Sequence, residues 1–249
     1  MHILIISLPD SNDRRAAMQA QMAGHTGPWS FLDATRVVDG QVVPQYDNAK
    51  CLRHFCYPLR AGEIGCFISH RLAWQRCISL GQPLLILEDD AEFLQPVADV
   101  LLMAEQALTY CDLARLAGLF PREYRFLNKP DLPELARHLR DPVGAAAYVL
   151  TPRVAQILVD KSKRFHEPVD LFMATEEWRH GHGMLSLMPF PIRAALVEST
   201  IGVRSKPDFP VAVKIKRELF KTPNAIARSL FRNYLNRKSW PKKFSPLAR

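Results

Sequence analysis

The segment Pro83–Phe93, PLLILEDDAEF, runs an unbroken apolar stretch into three consecutive carboxylates, Glu88, Asp89 and Asp90. Aliphatic residues without polar alternation describe a strand covered on both faces, the pattern of a parallel sheet flanked by helices. Three acids at the end of such a strand are not desolvated without a cation to offset them. Alternation carried past Leu87 places Glu88 and Asp90 on one side and Asp89 on the other, and hard oxygen ligands of this kind suit Mg or Mn. Glu88 and Asp90 are therefore the candidate metal ligands. An acidic turn following a strand, with no ion, fits the same pattern.

The neighbouring segments agree with an α/β chain. His2–Leu8 reads as a strand, Pro9–Asn12 as a loop with a helix-start signal, and 13–22 as an amphipathic helix. Trp29–Ala34 is a second short strand, and Gln41–Leu59 reads as irregular. Gly62–Leu80 is the clearest helix, with Ile64, Phe67, Ile68 and Leu72 on one broad face and Glu63, Cys66, His70 and Trp74 on another. Glu63 and His70, seven residues apart, are nearly aligned. The turn Gly81–Pro83 joins this helix to the acidic strand, forming a helix–strand unit. Further on, 97–110 reads as helix, 113–119 as strand, 121–142 as loops or a hairpin, and 144–150 as a small-residue strand. Thr151-Pro152 then opens a helix with Thr as N-cap, Pro168–Arg179 is another, and Met184–Met188 is a last strand.

The net charge of +8 suggests nucleic acid until its distribution is considered. Residues 204–249 carry thirteen Lys or Arg against two acids, which leaves residues 1–203 at −3. We divide the chain accordingly into a globular domain, 1–203, and a basic helical C-terminal extension, 204–249. In the extension Ile226, Leu230, Phe231, Tyr234 and Leu235 share one side, a basic amphipathic pattern that fits an anionic membrane surface or, equally, a helix packed on the domain. Nucleic acid is not an expected partner. The opening apolar run is broken by Pro9 too soon for a membrane span or a signal peptide, so a cytoplasmic chain is expected. Five cysteines without paired metal-ligand spacing read as free thiols.

Four segments together resemble glycosyltransferase family 25, which contains lipopolysaccharide and lipooligosaccharide galactosyltransferases. They are IISLPDSNDRR at Ile5–Arg15, LRAGEIGCFISH at Leu59–His70, LILEDDAEF at Leu85–Phe93 and GAAAYVLTPRVAQ at Gly144–Gln156, followed by PVDLFM at Pro168–Met173. The resemblance covers roughly the first two hundred residues and leaves out the basic extension. It departs from the family at Gly144–Tyr148, where alanines replace a threonine-containing segment.

The resemblance implies a GT-A-like fold that binds a nucleotide sugar at the carboxyl ends of its early strands, with Asp90 and Glu88 ligating Mn or Mg. It places Ser7, Leu8, Arg14, Arg15, Asp33 and Asp89 around the donor, and Glu63 and His70 at the edge of the site. Asp170 is the candidate base or acceptor-binding acid, with Glu176 and Glu177 in reserve; a helix N-terminal acid is the plainer reading of Asp170. His180 and His182 read as a glycine-spaced loop or a late metal ligand. The expected function is inverting transfer of a hexose, galactose foremost, from a UDP-sugar to a lipid-linked oligosaccharide of lipopolysaccharide or lipooligosaccharide. The expected location is the inner face of the bacterial inner membrane, with the basic extension on the anionic surface. Two rivals are a metal-dependent phosphohydrolase and a nonenzymatic adaptor acting through the extension.

Overall fold

A computed structural model describes residues 1–119, 122–138, 142–180 and 184–195. The basic extension, the domain boundary at 203 and His182 lie outside the described residues. The elements run β1 (His2–Ser7), α1 (Asn12–Met22), β2 (Trp29–Asp33), α2 (Asn48–Phe55), α3 (Ala61–Leu80), β3 (Leu84–Glu88), β4 (Ala91–Phe93) and α4 (Val97–Ala107). They continue with β5 (Leu113–Arg115), β6 (Tyr124–Phe126), β7 (Leu135–His138), β8 (Ala147–Leu150), α5 (Pro152–Lys161), α6 (Val169–His180), β9 (Met184–Leu187) and β10 (Ile192–Ala194).

Eight strands form one sheet in the order β2-β1-β3-β8-β5-β9-β7-β6, and β4 pairs with β10 in a separate two-stranded ribbon. β1 is parallel to both β2 and β3, whereas β8 runs antiparallel to β3 and β5. The expected α/β sheet with flanking helices is thus observed, with antiparallel strands beyond β3. Strand alternation divides the core between the two faces. Leu4, Ile6, Leu84 and Ile86 join the cluster under α3 and α5, while Ile3, Ile5, Leu85 and Leu87 join the cluster that includes Met18 of α1 and Val100 of α4. Each such fully buried aliphatic side chain contributes about 1.5–3 kcal/mol, which favours β1 and β3 as interior strands covered on both faces.

Two expectations about the helices change. The stretch 41–59 is not wholly irregular: Asp47 accepts a hydrogen bond from the Lys50 amide at 2.9 Å and starts α2, which ends at Cys56 in a left-handed conformation, φ 65°. α3 is not one-faced. Trp74 and His70 are fully buried together with Phe67, whereas Leu72 is exposed, because the helix lies between the sheet and α5. Gly65 fits this crowding, since a Cβ there would come 2.5 Å from the Thr35 carbonyl oxygen. At the start of α5 the sequence signal holds: the Thr151 hydroxyl caps the helix through the Val154 amide, and Pro152 occupies the first turn.

Candidate functional site

β1 is followed in sequence by β2 on one side of it and flanked on the other by β3, so the chain changes direction across the sheet between β1 and β3. A crevice opens at such a switch point, outside the carboxyl ends of the strands. Here it is a cleft of about 930 Å³, walled by the end of β1, the loop after β2, the start of α3 and the acidic end of β3.

Glu88, Asp89 and Asp90 all line the cleft. The expectation that Asp89 points away is corrected, because β3 ends at Glu88 and the chain turns there, so strand alternation does not extend to the next two residues. Asp89 instead faces the end of β1 and the start of α1. Its Oδ2 accepts from the Ser7 hydroxyl at 2.7 Å and its Oδ1 from Arg14 Nη1 at 2.9 Å. Asp90 has the opposite circumstance. Its Oδ1 is buried and has no hydrogen-bond partner among the described residues. Burial first, and the negative charge of Glu88 next, push its carboxyl up to about 6.

Glu88 leans toward α3, where its Oε1 lies 3.0 Å from His70 Nε2 and 3.8 Å from Cys66 Sγ. Burial, and then the Glu88 charge, push the Cys66 thiol well above its ordinary value. Cys66, His70 and Glu88 have ligand atoms within 4.8 Å of one another, a grouping that treating the cysteines as unpaired thiols did not reveal. The signal was in the i, i+4 spacing of Cys66 and His70 on one helix face.

The residues expected around a donor divide into two sets. Ser7, Leu8 and Arg14 line the cleft with Asp89. Arg15 braces the wall: it donates to the Leu8 and Ser7 carbonyls at 3.1 Å and to Asp33 at 2.5 Å, and its guanidinium lies 4.8 Å above the Phe31 ring. Asp33 is accordingly Arg15's partner on the outer surface. Arg36 and Arg60 also line the cleft and add cationic side chains; Arg60 lies in the matched segment Leu59–His70 and Arg36 outside the four segments. Glu63 is placed at the start of α3, its Oε2 accepting from the Arg60 amide at 2.7 Å, and it does not pair with His70.

Asp170 opens α6 on the same rim of the sheet. The Glu88 amide donates to the Ala146 carbonyl, and two residues earlier the Gly144 amide donates to Asp170 Oδ2 at 2.9 Å. Asp170 Oδ1 accepts from the Leu171 amide at 2.7 Å. Buried Arg115 ties this corner together, bonding the carbonyls of Gly144 and Asp170. Asp170 is thus beside the cleft and not in its lining. Glu176, Glu177 and His180 fall in the later turns of α6.

The donor set at the β3 end fits a hard divalent cation. A buried carboxylate oxygen without a partner, with two further carboxylates beside it, is the arrangement such an ion relieves.

Comparison with known proteins adds a family. Residues 1–173 match the family described as glycosyltransferase family 25 (LPS biosynthesis protein). Lipooligosaccharide biosynthesis protein lic2B of Haemophilus influenzae is 30% identical over 116 residues, 43% of this chain and 40% of that protein, so the matched stretch is well short of the relative's length. Among solved structures, a glycosyltransferase involved in the glycosylation of the major capsid of PBCV-1 overlays with a TM-score of 0.43 at 6% identity, covering 89% of this chain and 98% of that one. Mouse xyloside xylosyltransferase 1 overlays with a TM-score of 0.36 at 12% identity, covering 78% and 84%.

Proposed function

The chain belongs to glycosyltransferase family 25, and we propose that it transfers a hexose, galactose foremost, from a UDP-sugar to the lipid-linked oligosaccharide of lipopolysaccharide or lipooligosaccharide, with inversion and with a divalent cation. The observation that carries this reading is the buried, unpartnered Asp90 oxygen beside Glu88 and Asp89 at the switch-point cleft. Asp90 and Glu88 would hold Mn or Mg. Such an ion neutralises charge on a departing nucleoside diphosphate as a Lewis acid.

The remaining work falls to the chain's own groups. Arg14, held in place by Asp89, brings a guanidinium cation to the cleft, a group suited to phosphate oxygens. Arg36 and Arg60 stand on the facing wall. Arg15, Asp33 and Leu8 keep the loop after β1 in the shape that sets Ser7 and Arg14 against the cleft. Asp170 is assigned to the acceptor: backbone amides fix its orientation, and the lone pairs they leave free receive the proton of the attacking hydroxyl or hold that hydroxyl in line. No described helix is long and apolar enough to cross a membrane. The basic extension, residues 204–249, is assigned to the anionic surface that carries the acceptor; deleting 214–249 should abolish co-sedimentation with anionic vesicles, and unchanged sedimentation would reject this role.

The test is incubation with a panel of nucleotide sugars and Mn, with and without chelator, measuring released nucleotide. Release of UDP dependent on Mn and on acceptor is expected, with Asp90→Asn reduced by at least about 100-fold. An Asp90→Asn protein as active as wild type, or release of inorganic phosphate instead of UDP, would overturn it.

A further inference from the structure

We propose that a buried, directional hydrogen-bond relay, Trp74 to Tyr148 to His70 to Glu88, fixes the tautomer of His70 and thereby locks Glu88 at the cleft, making His70 and Tyr148 positioning residues. This inference rests on the metal-binding reading of Glu88 only for its functional consequence.

The direction follows from proton counting. Trp74 Nε1 has a hydrogen and no lone pair to accept with, so its 2.9 Å contact with the Tyr148 hydroxyl is a donation. Tyr148 then has one hydrogen to place, and His70 Nδ1 lies 2.9 Å from the same oxygen. The hydroxyl donates to Nδ1, which is therefore the unprotonated nitrogen. The ring proton sits on Nε2, 3.0 Å from Glu88 Oε1, and donates to it. Reversing the tautomer sets a nitrogen lone pair against a carboxylate oxygen at that distance and leaves the tyrosine hydrogen without an acceptor. Trp74, Tyr148 and His70 are all fully buried, so water does not substitute for a missing partner.

The relay joins three elements, α3, β8 and β3, and ends at the only member that reaches the cleft besides His70's edge. Its effect is to tether Glu88 Oε1 as an acceptor. Oε2 has no hydrogen-bond partner among the described residues and is left for a ligand. This is the arrangement in which an outer hydrogen bond orients a metal-binding carboxylate, and its removal typically weakens metal affinity about 10–100-fold.

The experiment uses the full chain labelled with 15N at histidine. Long-range 1H–15N correlation spectra should show His70 as the neutral Nε2–H form. In Tyr148→Phe, which keeps the ring and removes the donor, the Nδ1 signal should move downfield as it loses the hydroxyl hydrogen bond, while the Glu88 contact keeps the proton on Nε2. A wild-type ring protonated on Nδ1, or an Nδ1 signal unchanged between wild type and Tyr148→Phe, overturns the relay irrespective of any metal. Mn affinity, read by electron paramagnetic resonance, supplies the second arm. His70→Leu should lose about 10–100-fold, and His70→Gln, whose amide can donate from the place of Nε2, should recover most of it. Equal losses in the two variants, with both folded by circular dichroism, overturn the positioning role. A wild-type chain without Mn affinity instead defeats the metal reading, and the tautomer then decides the relay by itself.

Discussion

Replacing Asp90 with Asn should stabilise the chelator-treated protein while impairing the proposed metal-dependent transfer. The Asp90 carboxyl rises from 3.8 to about 6 on folding, through burial and the neighbouring Glu88 charge. A folded-state value above the unfolded one means the native protein holds the extra proton between them, so native stability falls as pH rises through that window. The penalty is absent below 3.8 and complete above about 6. At about 1.4 kcal/mol for each pH unit, its full size is about 3 kcal/mol, an upper figure because relaxation and shared titration with Glu88 reduce it. Asn removes the charge and keeps the shape. Urea denaturation with chelator at about pH 8 should therefore show the variant more stable by up to about 3 kcal/mol, shrinking toward zero at about pH 4. Saturating Mn should reverse the comparison: about a 100-fold excess over Kd adds roughly 2.7 kcal/mol to a protein that binds it, and the variant forgoes most of that gain. A variant less stable than wild type without metal, or a difference that does not change with pH, would refute the reasoning.

Arg14→Met should cost about 1–3 kcal/mol in thermal or urea unfolding, because it leaves the largely buried Asp89 with Ser7 as its remaining side-chain partner in the cleft. Gly65→Ala should cost about 1–3 kcal/mol by urea midpoint, since the new methyl meets the Thr35 carbonyl oxygen at 2.5 Å and backbone has to shift to admit it. Thiol labelling of the native protein should be slower at Cys77 and Cys111, which are buried and whose thiols burial pushes up to about 12, than at half-buried Cys56. Fast labelling of Cys111 in the folded chain, followed by mass mapping, would contradict its burial.

Much of the frame is visible in local pattern. The apolar run before Glu88 marks an interior strand, and its lack of alternation correctly implies helices on both faces, because each successive side chain must find an apolar neighbour. Thr151-Pro152 marks the start of α5 for a reason as local: the hydroxyl and the missing amide hydrogen both suit a first helical turn. α2 is harder to read. Its capping Asp47 is an ordinary loop residue in sequence, and eight residues give too few turns for periodicity to show. The ribbon of β4 and β10 joins segments about a hundred residues apart, and no three-residue run announces such a partner.

At the site the same division holds. Order along the chain establishes that carboxylates follow a buried strand, that Ser7 and Arg14 follow another, and that these ends belong near one another in a parallel sheet. Tertiary structure alone decides how the acids differ: Asp89 is neutralised by Ser7 and Arg14, Glu88 is tethered to His70, and Asp90 is left buried with an oxygen unpaired. It also separates Glu63 from His70, by giving the former to the Arg60 amide and the latter to Tyr148 and Glu88. The reason is that strand and helix periods are properties of neighbouring bonds, whereas the charge, tautomer and partner of a side chain depend on groups brought to it from 18 to 82 residues away in sequence.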